Sequence, residues 1–109
     1  KPAYLGPITE EPASLEKGRE AARLAMMNLL GAVRAHLGSL RKVVRVVKLT
    51  GFVNSNQGFT QQAAVINGAS DLLVEIFGDQ GRHVRSSIGT GSLPRGASVE
   101  IEAVFQIAE

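Results

Sequence analysis

Arg85 and Glu100 stand fifteen positions apart, with Ser87 two residues after the arginine, in the run Arg85-Ser86-Ser87-Ile88-Gly89-Thr90-Gly91-Ser92-Leu93-Pro94-Arg95-Gly96-Ala97-Ser98-Val99-Glu100. A guanidinium is permanently charged and grips a carboxylate through two parallel hydrogen bonds, so an arginine in a dry cleft selects small carboxylic acids. A carboxylate in a partly desolvated cleft suits general acid–base work on water. Ser87 shares a strand face with Arg85 and adds a small hydroxyl. The two charged residues are predicted on two short strands joined by the Leu93-Pro94-Arg95-Gly96 turn. In a hairpin symmetric about Pro94 and Arg95, Gly89 faces Glu100 and Val104 faces Arg85, leaving the pair on one face but roughly 13 Å apart along it. A bulge, another strand order or a neighbouring subunit has to close that gap.

The elements that position these residues are legible from hydrophobic period. Residues 1–13 hold three of the four prolines and read as an irregular lead-in. Ser14 is the expected N-cap of a helix, with Glu16 complementing its dipole; Leu15, Ala22, Met26, Leu29, Leu30, Val33 and Leu37 then recur at helical spacing up to a stop at Gly38. Val43 to Val53 is β-branched and apolar on both faces, as a central strand requires. A loop at Asn54-Ser55-Asn56-Gln57-Gly58 separates it from a second helical stripe, Val65, Ile66, Ala69, Leu72, Leu73, Ile76 and Phe77, which ends at Gly78. From Val84 the period becomes two, with Val99, Ile101, Ala103, Phe105 and Ile107 on one face of the last strand. The order α-β-α-β-β predicts an α+β fold: a mixed β-sheet with two helices packed on one face. Two helices cannot cover both sides of a sheet, so one face is left for another subunit.

At 109 residues the chain is a single domain, small enough that self-association helps it bury apolar surface. A hydrophobic fraction of 44% excludes a disordered polymer, and no apolar run approaches the length of a membrane span. Cysteine is absent, which excludes disulfides, thiolate catalysis and cysteine metal sites. His36 and His83 do not make a metal site, since two histidines without a clustered third ligand are too few. His83, in the loop before Arg85, is read as solvent-exposed, with a place at a cleft mouth as the alternative.

Arg85-Ser86, Leu93-Pro94 and Val99-Glu100-Ile101-Glu102-Ala103, in that order and spacing, resemble the C-terminal signature of the reactive intermediate deaminase (Rid) family, chorismate-mutase-like trimers once described as ribonucleases. Ala21-Ala22-Arg23-Leu24, Val46 to Asn54 and Ile66 to Leu73 look like a less studied branch of it, and the resemblance runs from about Leu15 to the C-terminus. It implies a cytoplasmic homotrimer, without cofactor or metal, in which three sheets enclose a barrel and sites lie in clefts between subunits. The implied reaction is hydrolytic deamination of 2-imino acids and enamines to 2-keto acids and ammonia. Arg85 would hold the substrate carboxylate, Glu100 would serve the water, and Ser87, where family members commonly carry cysteine, would contribute a hydrogen bond. Asn67 would approach a neighbour's cleft as a substrate-binding residue. Family members usually begin with a β-hairpin that has no counterpart before Lys1, so the chain is read as an N-terminally incomplete Rid-like domain.

Two other functions compete. A non-catalytic trimer that binds small carboxylates would keep Arg85 without turnover. An endoribonuclease is suggested by the pI of about 9.4 and the grouping of Arg41, Lys42, Arg45 and Lys48. Against nucleic acid stand a formal net charge of only +2, the lack of an RNA-binding aromatic motif, and the lack of a histidine pair suited to RNA cleavage.

Overall fold

The computed structural model describes residues 4–108 and so excludes the first three residues of the predicted lead-in. Helix α1 (Pro12–Leu37) leads through a short 3-10 turn to strand β1 (Val43–Asn54). Helix α2 (Gln62–Phe77), a second 3-10 turn, strand β2 (Val84–Thr90) and strand β3 (Val99–Ile107) follow. Both helices lie on one side of the sheet, as the two helical stripes require. Among the described residues no helix is long and apolar enough to cross a membrane.

Helix α1 starts two residues before the expected cap. Pro12 occupies the first turn, where its fixed φ suits helix entry and its missing N–H costs nothing. Ser14 therefore lies inside the helix, and its Oγ accepts a hydrogen bond from the Thr9 N–H at 2.8 Å, fastening the lead-in. Glu16 pairs with Arg19 at 3.1 Å on the exposed surface. The helix stops at Gly38, whose φ of 88° is left-handed and whose N–H closes on the Arg34 carbonyl at 2.7 Å.

The core forms where the two stripes meet the strand. Ala22, Met26 and Leu30 of α1, Val65, Ile66, Ala69 and Leu73 of α2, and Val46, Leu49 and Val53 of β1 are buried together, with Ile8 of the lead-in and Val99 of β3. Each fully buried Val, Leu, Ile or Met side chain contributes about 1.5–3 kcal/mol. Two glycines set how closely the layers approach. A Cβ on Gly51 would run into the Ile66 side chain, and one on Gly68 would meet the Arg19 carbonyl of α1.

The sheet order is β2-β1-β3, with β2 parallel and β3 antiparallel to β1. The predicted hairpin between the last two strands is therefore wrong: β2 and β3 do not pair but flank β1 on opposite edges. The physical reason is β1 itself. It is the longest strand and buries its helix-side residues throughout, so pairing on both of its edges satisfies two ladders at once. The segment from Gly91 to Ser98 is long enough to round the end of β1. There Arg95 and Gly96 adopt left-handed φ values of 60° and 71°, and Asn54 Nδ2 donates to the Ala97 carbonyl at 3.1 Å. Ser98, fully buried, gives its N–H to the Tyr4 carbonyl and its hydroxyl to the Gly6 carbonyl at 2.7 Å. The lead-in is thus bonded across the crossover.

Register fixes which residues share a face. Leu49, Gly51 and Val53 point to the helices with their partners Arg85, Ser87 and Gly89 on β2 and Ala103, Ile101 and Val99 on β3. The other face carries Thr50 and Phe52 with Ser86, Ile88, Glu100 and Glu102. No helix of the described residues covers it, and Val84, Ile88 and Val104 are 68%, 44% and 53% exposed there.

Candidate active site

Arg85 sits on the edge strand β2 with its side chain turned toward α2. One Nη1–H donates to Asn67 Oδ1 at 2.7 Å and the other to Ser70 Oγ at 3.0 Å, while Nη2 donates more weakly to the Ala63 carbonyl at 3.4 Å. Asn67 and Ser70 are three residues apart on the helix and so present the same face to the arginine. Of the five guanidinium N–H groups these bonds use three. The Nε–H and one Nη2–H remain, and they suffice to hold a carboxylate through two bonds. The bracing also removes much of the rotamer freedom that a free arginine would lose on binding.

Ser87 follows two residues on, and its Oγ is sealed from solvent without a hydrogen-bond partner. An unpartnered buried hydroxyl is a costly group, by about 1–3 kcal/mol. Gly89, next on this face, leaves room for α2: a Cβ there would lie 2.7 Å from Gln62 Nε2 and 3.1 Å from Ser55 Oγ. Beyond it an open cleft of about 330 Å³ is lined by Ser55, Gln57, Phe59, Gln62, Thr90 and Gly91 among others. Gly89 thus serves packing against α2.

Glu100 is not brought to Arg85. Its register partner on β1 is Phe52, whereas that of Arg85 is Leu49. The two residues lie two strands and three register steps apart, roughly 14 Å between backbones, and on opposite faces of the sheet. The shared face expected from a hairpin is lost with the hairpin. Asn67, expected to serve a neighbour, is committed to Arg85 within its own protomer.

His83 departs from the solvent-exposed reading. It is half-buried, with Nδ1 2.6 Å from the Gly81 carbonyl and Nε2 2.9 Å from Ser70 Oγ. It therefore belongs to the cluster around Arg85, and a cleft of about 240 Å³ is lined by Ser70, Val74, Arg82, His83 and Arg85. Ser70 was missed in the sequence, although its three-residue spacing from Asn67 was a usable signal. Among the described residues no three His, Asp or Glu side chains gather closely enough to hold a metal ion.

Two helices on one face of a mixed three-stranded sheet, with a braced arginine at the sheet edge, define an α+β protein of chorismate-mutase-like build. Residues 3–106 match the family described as YjgF/chorismate mutase-like, putative endoribonuclease, and the chain belongs to that family. Protein Atu1372 of Agrobacterium tumefaciens, of unknown function, is 43% identical and superposes with a TM-score of 0.93, covering 100% of this chain and 69% of its own. A putative endoribonuclease from Shewanella oneidensis is 28% identical with a TM-score of 0.91, covering 98% of this chain and 70% of that one. Protein TCP17 of Trypanosoma cruzi is 44% identical over 95 residues, or 86% of this chain, which spans 59% of that relative's length.

Proposed function

We propose that this protein hydrolyses reactive 2-imino acids, or the enamines that tautomerise to them, to 2-keto acids and ammonia in a cleft completed by neighbouring copies of a homotrimer. The observation that carries the reading is Arg85, braced by Asn67, Ser70 and Ala63 with two N–H groups free for a carboxylate. Water adds to the electrophilic C=N carbon, giving a carbinolamine. Proton transfer to its nitrogen and collapse of the C–N bond expel ammonia and leave the keto acid. The electrophile is the substrate's own, so the step calls for charge placement and proton transfer only. Arg85 holds the carboxylate, Ser87 donates its hydroxyl once a rotation of its side chain exposes it, and the free amide hydrogens of Asn67 add a contact.

Glu100 serves the water in this reading, and its position makes a demand. Because it lies across the sheet from Arg85, a site using both combines copies of the chain. The uncovered face with Val84, Ile88 and Val104 supplies an apolar surface for such contact.

The test is 2-keto acid release from imines generated in situ by an amino-acid oxidase, corrected for spontaneous hydrolysis. The wild type is expected to accelerate release, and Arg85→Ala to lose at least about a hundredfold in kcat/KM, as removal of a charged anchor in a desolvated site does. No acceleration by a folded oligomer over small and bulky imines rejects the reading. Mixed oligomers of Arg85→Ala and Glu100→Gln subunits test the shared site. Partial recovery of activity is expected, and its absence removes Glu100 from the reaction.

The family's description and the Shewanella relative favour ribonuclease as a second reading. Arg45 and Lys48 share the uncovered side of the sheet with Glu100 and Glu102, which dilutes their charge. RNA binding that weakens steeply with salt would mark that function, and carboxylate binding without turnover would mark a non-catalytic trimer.

A further inference from the structure

The hydrogen bonds around Arg85 have a direction fixed by chemistry. The Gly81 carbonyl can only accept, so the His83 Nδ1 that sits 2.6 Å from it carries a hydrogen. In the neutral ring Nε2 is then an acceptor, and the Ser70 hydroxyl 2.9 Å away must donate to it. With its hydrogen spent on the histidine, Ser70 Oγ turns its lone pairs outward and accepts Nη1–H of Arg85 at 3.0 Å. The chain runs one way, from Arg85 to Ser70 to His83 to Gly81. The opposite tautomer would place Nε2–H against Ser70 and leave Nδ1 facing a carbonyl with no hydrogen between them.

We propose that His83 is a positioning residue for the carboxylate site. By accepting the Ser70 hydrogen, the neutral ring of His83 turns the Ser70 lone pairs toward Nη1 and so holds the Nε and Nη2 edge of Arg85 open to substrate. The proposal rests on the reading of Arg85 as the carboxylate holder and adds two residues with an order of action. Without Ser70 the guanidinium keeps only the Asn67 bond at 2.7 Å and the weak Ala63 bond at 3.4 Å. Asn67 and Ser70 together fix both Nη1 hydrogens and hence the plane of the group. His83 comes from the segment between α2 and β2, so the network ties the helix, the strand and their connection at one point.

Two assays separate this proposal from the reading beneath it. Calorimetric binding of pyruvate, the smallest 2-keto acid, is measured alongside imine turnover for Arg85→Ala, Ser70→Ala, His83→Ala, the double alanine variant, Ser70→Thr and His83→Gln. Ser70→Ala and His83→Ala are each expected to raise the pyruvate Kd and the imine KM about tenfold with kcat within about twofold, the scale of one hydrogen bond to a charged group. The double variant should be no worse than Ser70→Ala, because the histidine acts through the serine. Ser70→Thr keeps the hydroxyl and His83→Gln keeps an acceptor for it, so both should recover to within about threefold. Unchanged Kd in Ser70→Ala and His83→Ala, with binding lost in Arg85→Ala, overturns the positioning role alone. Unchanged Kd in Arg85→Ala overturns the carboxylate reading, and this proposal with it. Should an alanine variant fail to fold, the unliganded wild type decides: slow rotation about the Arg85 Cζ–Nη1 bond in its NMR spectrum is expected, and free rotation overturns the proposal.

Discussion

The two faces of the sheet differ in how their polar groups are spent. On the helix side, Arg85 has three acceptors, Ser70 and His83 are bonded to each other, and Leu49, Gly51 and Val53 are buried beside them. On the other side, Glu100 and Glu102 stand among Phe52, Ile88 and Val104 without a salt bridge to any described residue. One face is built within the protomer, and no helix of the described residues covers the other. A charged residue held by neutral acceptors can be aimed before its ligand arrives, whereas a carboxylate on an open face keeps its solvent and its freedom.

Neighbouring positions on β1 sharpen that contrast most. Gly51→Ala drives a methyl into Ile66 on the helix side and should cost about 2–3 kcal/mol of folding stability, read as a lower denaturant midpoint. Phe52→Ala, on the other face, should leave the midpoint of a dilute sample closer to the wild type and weaken association. Equal losses at both positions would mean that both faces are core. Ile88→Asp puts a charge in the uncovered apolar row, and light scattering should show oligomers dissociating with helical content retained. An unchanged mass would exclude this face from the interface.

Smaller effects test the site and the turn between the two regions. Ser87→Ala removes an unpartnered hydroxyl and should raise stability by up to about 1 kcal/mol while lowering imine turnover. A gain in stability without loss of turnover would leave Ser87 outside the reaction. Arg95→Gly relieves a left-handed non-glycine residue but frees the unfolded chain, and the two should nearly cancel, to within about 0.5 kcal/mol in thermal unfolding. A larger loss would give the Arg95 side chain a role of its own.

The helices, the central strand and the alternation of β3 were legible because each is written in local periodicity. Met26 and Leu30, or Leu72 and Leu73, reach the core by the spacing that predicts them. Strand order was not legible. Leu93-Pro94-Arg95-Gly96 is a turn in either topology, and local sequence does not reveal that β1 offers two edges. That one error moved Glu100 to the wrong face. Pro12 captured the helix start from Ser14 because an imino ring at the first turn needs no capping oxygen. His83 reads as a loop residue until the chain folds back and puts Ser70 beside it. Gly18 and Gly68 carried a signal of a different kind: glycine inside a helix costs about 1 kcal/mol relative to alanine. Its presence there points to close helix contact, which the structure shows against Val65 and Arg19.

The bond from Ser98 Oγ to the Gly6 carbonyl joins residues 92 positions apart. Closing so long a loop costs chain entropy, which the contacts on both sides of the bond must offset. Ile8, two residues beyond Gly6, is 1% exposed within the core, so the lead-in is a member of the fold that ties its first segment to its last crossover.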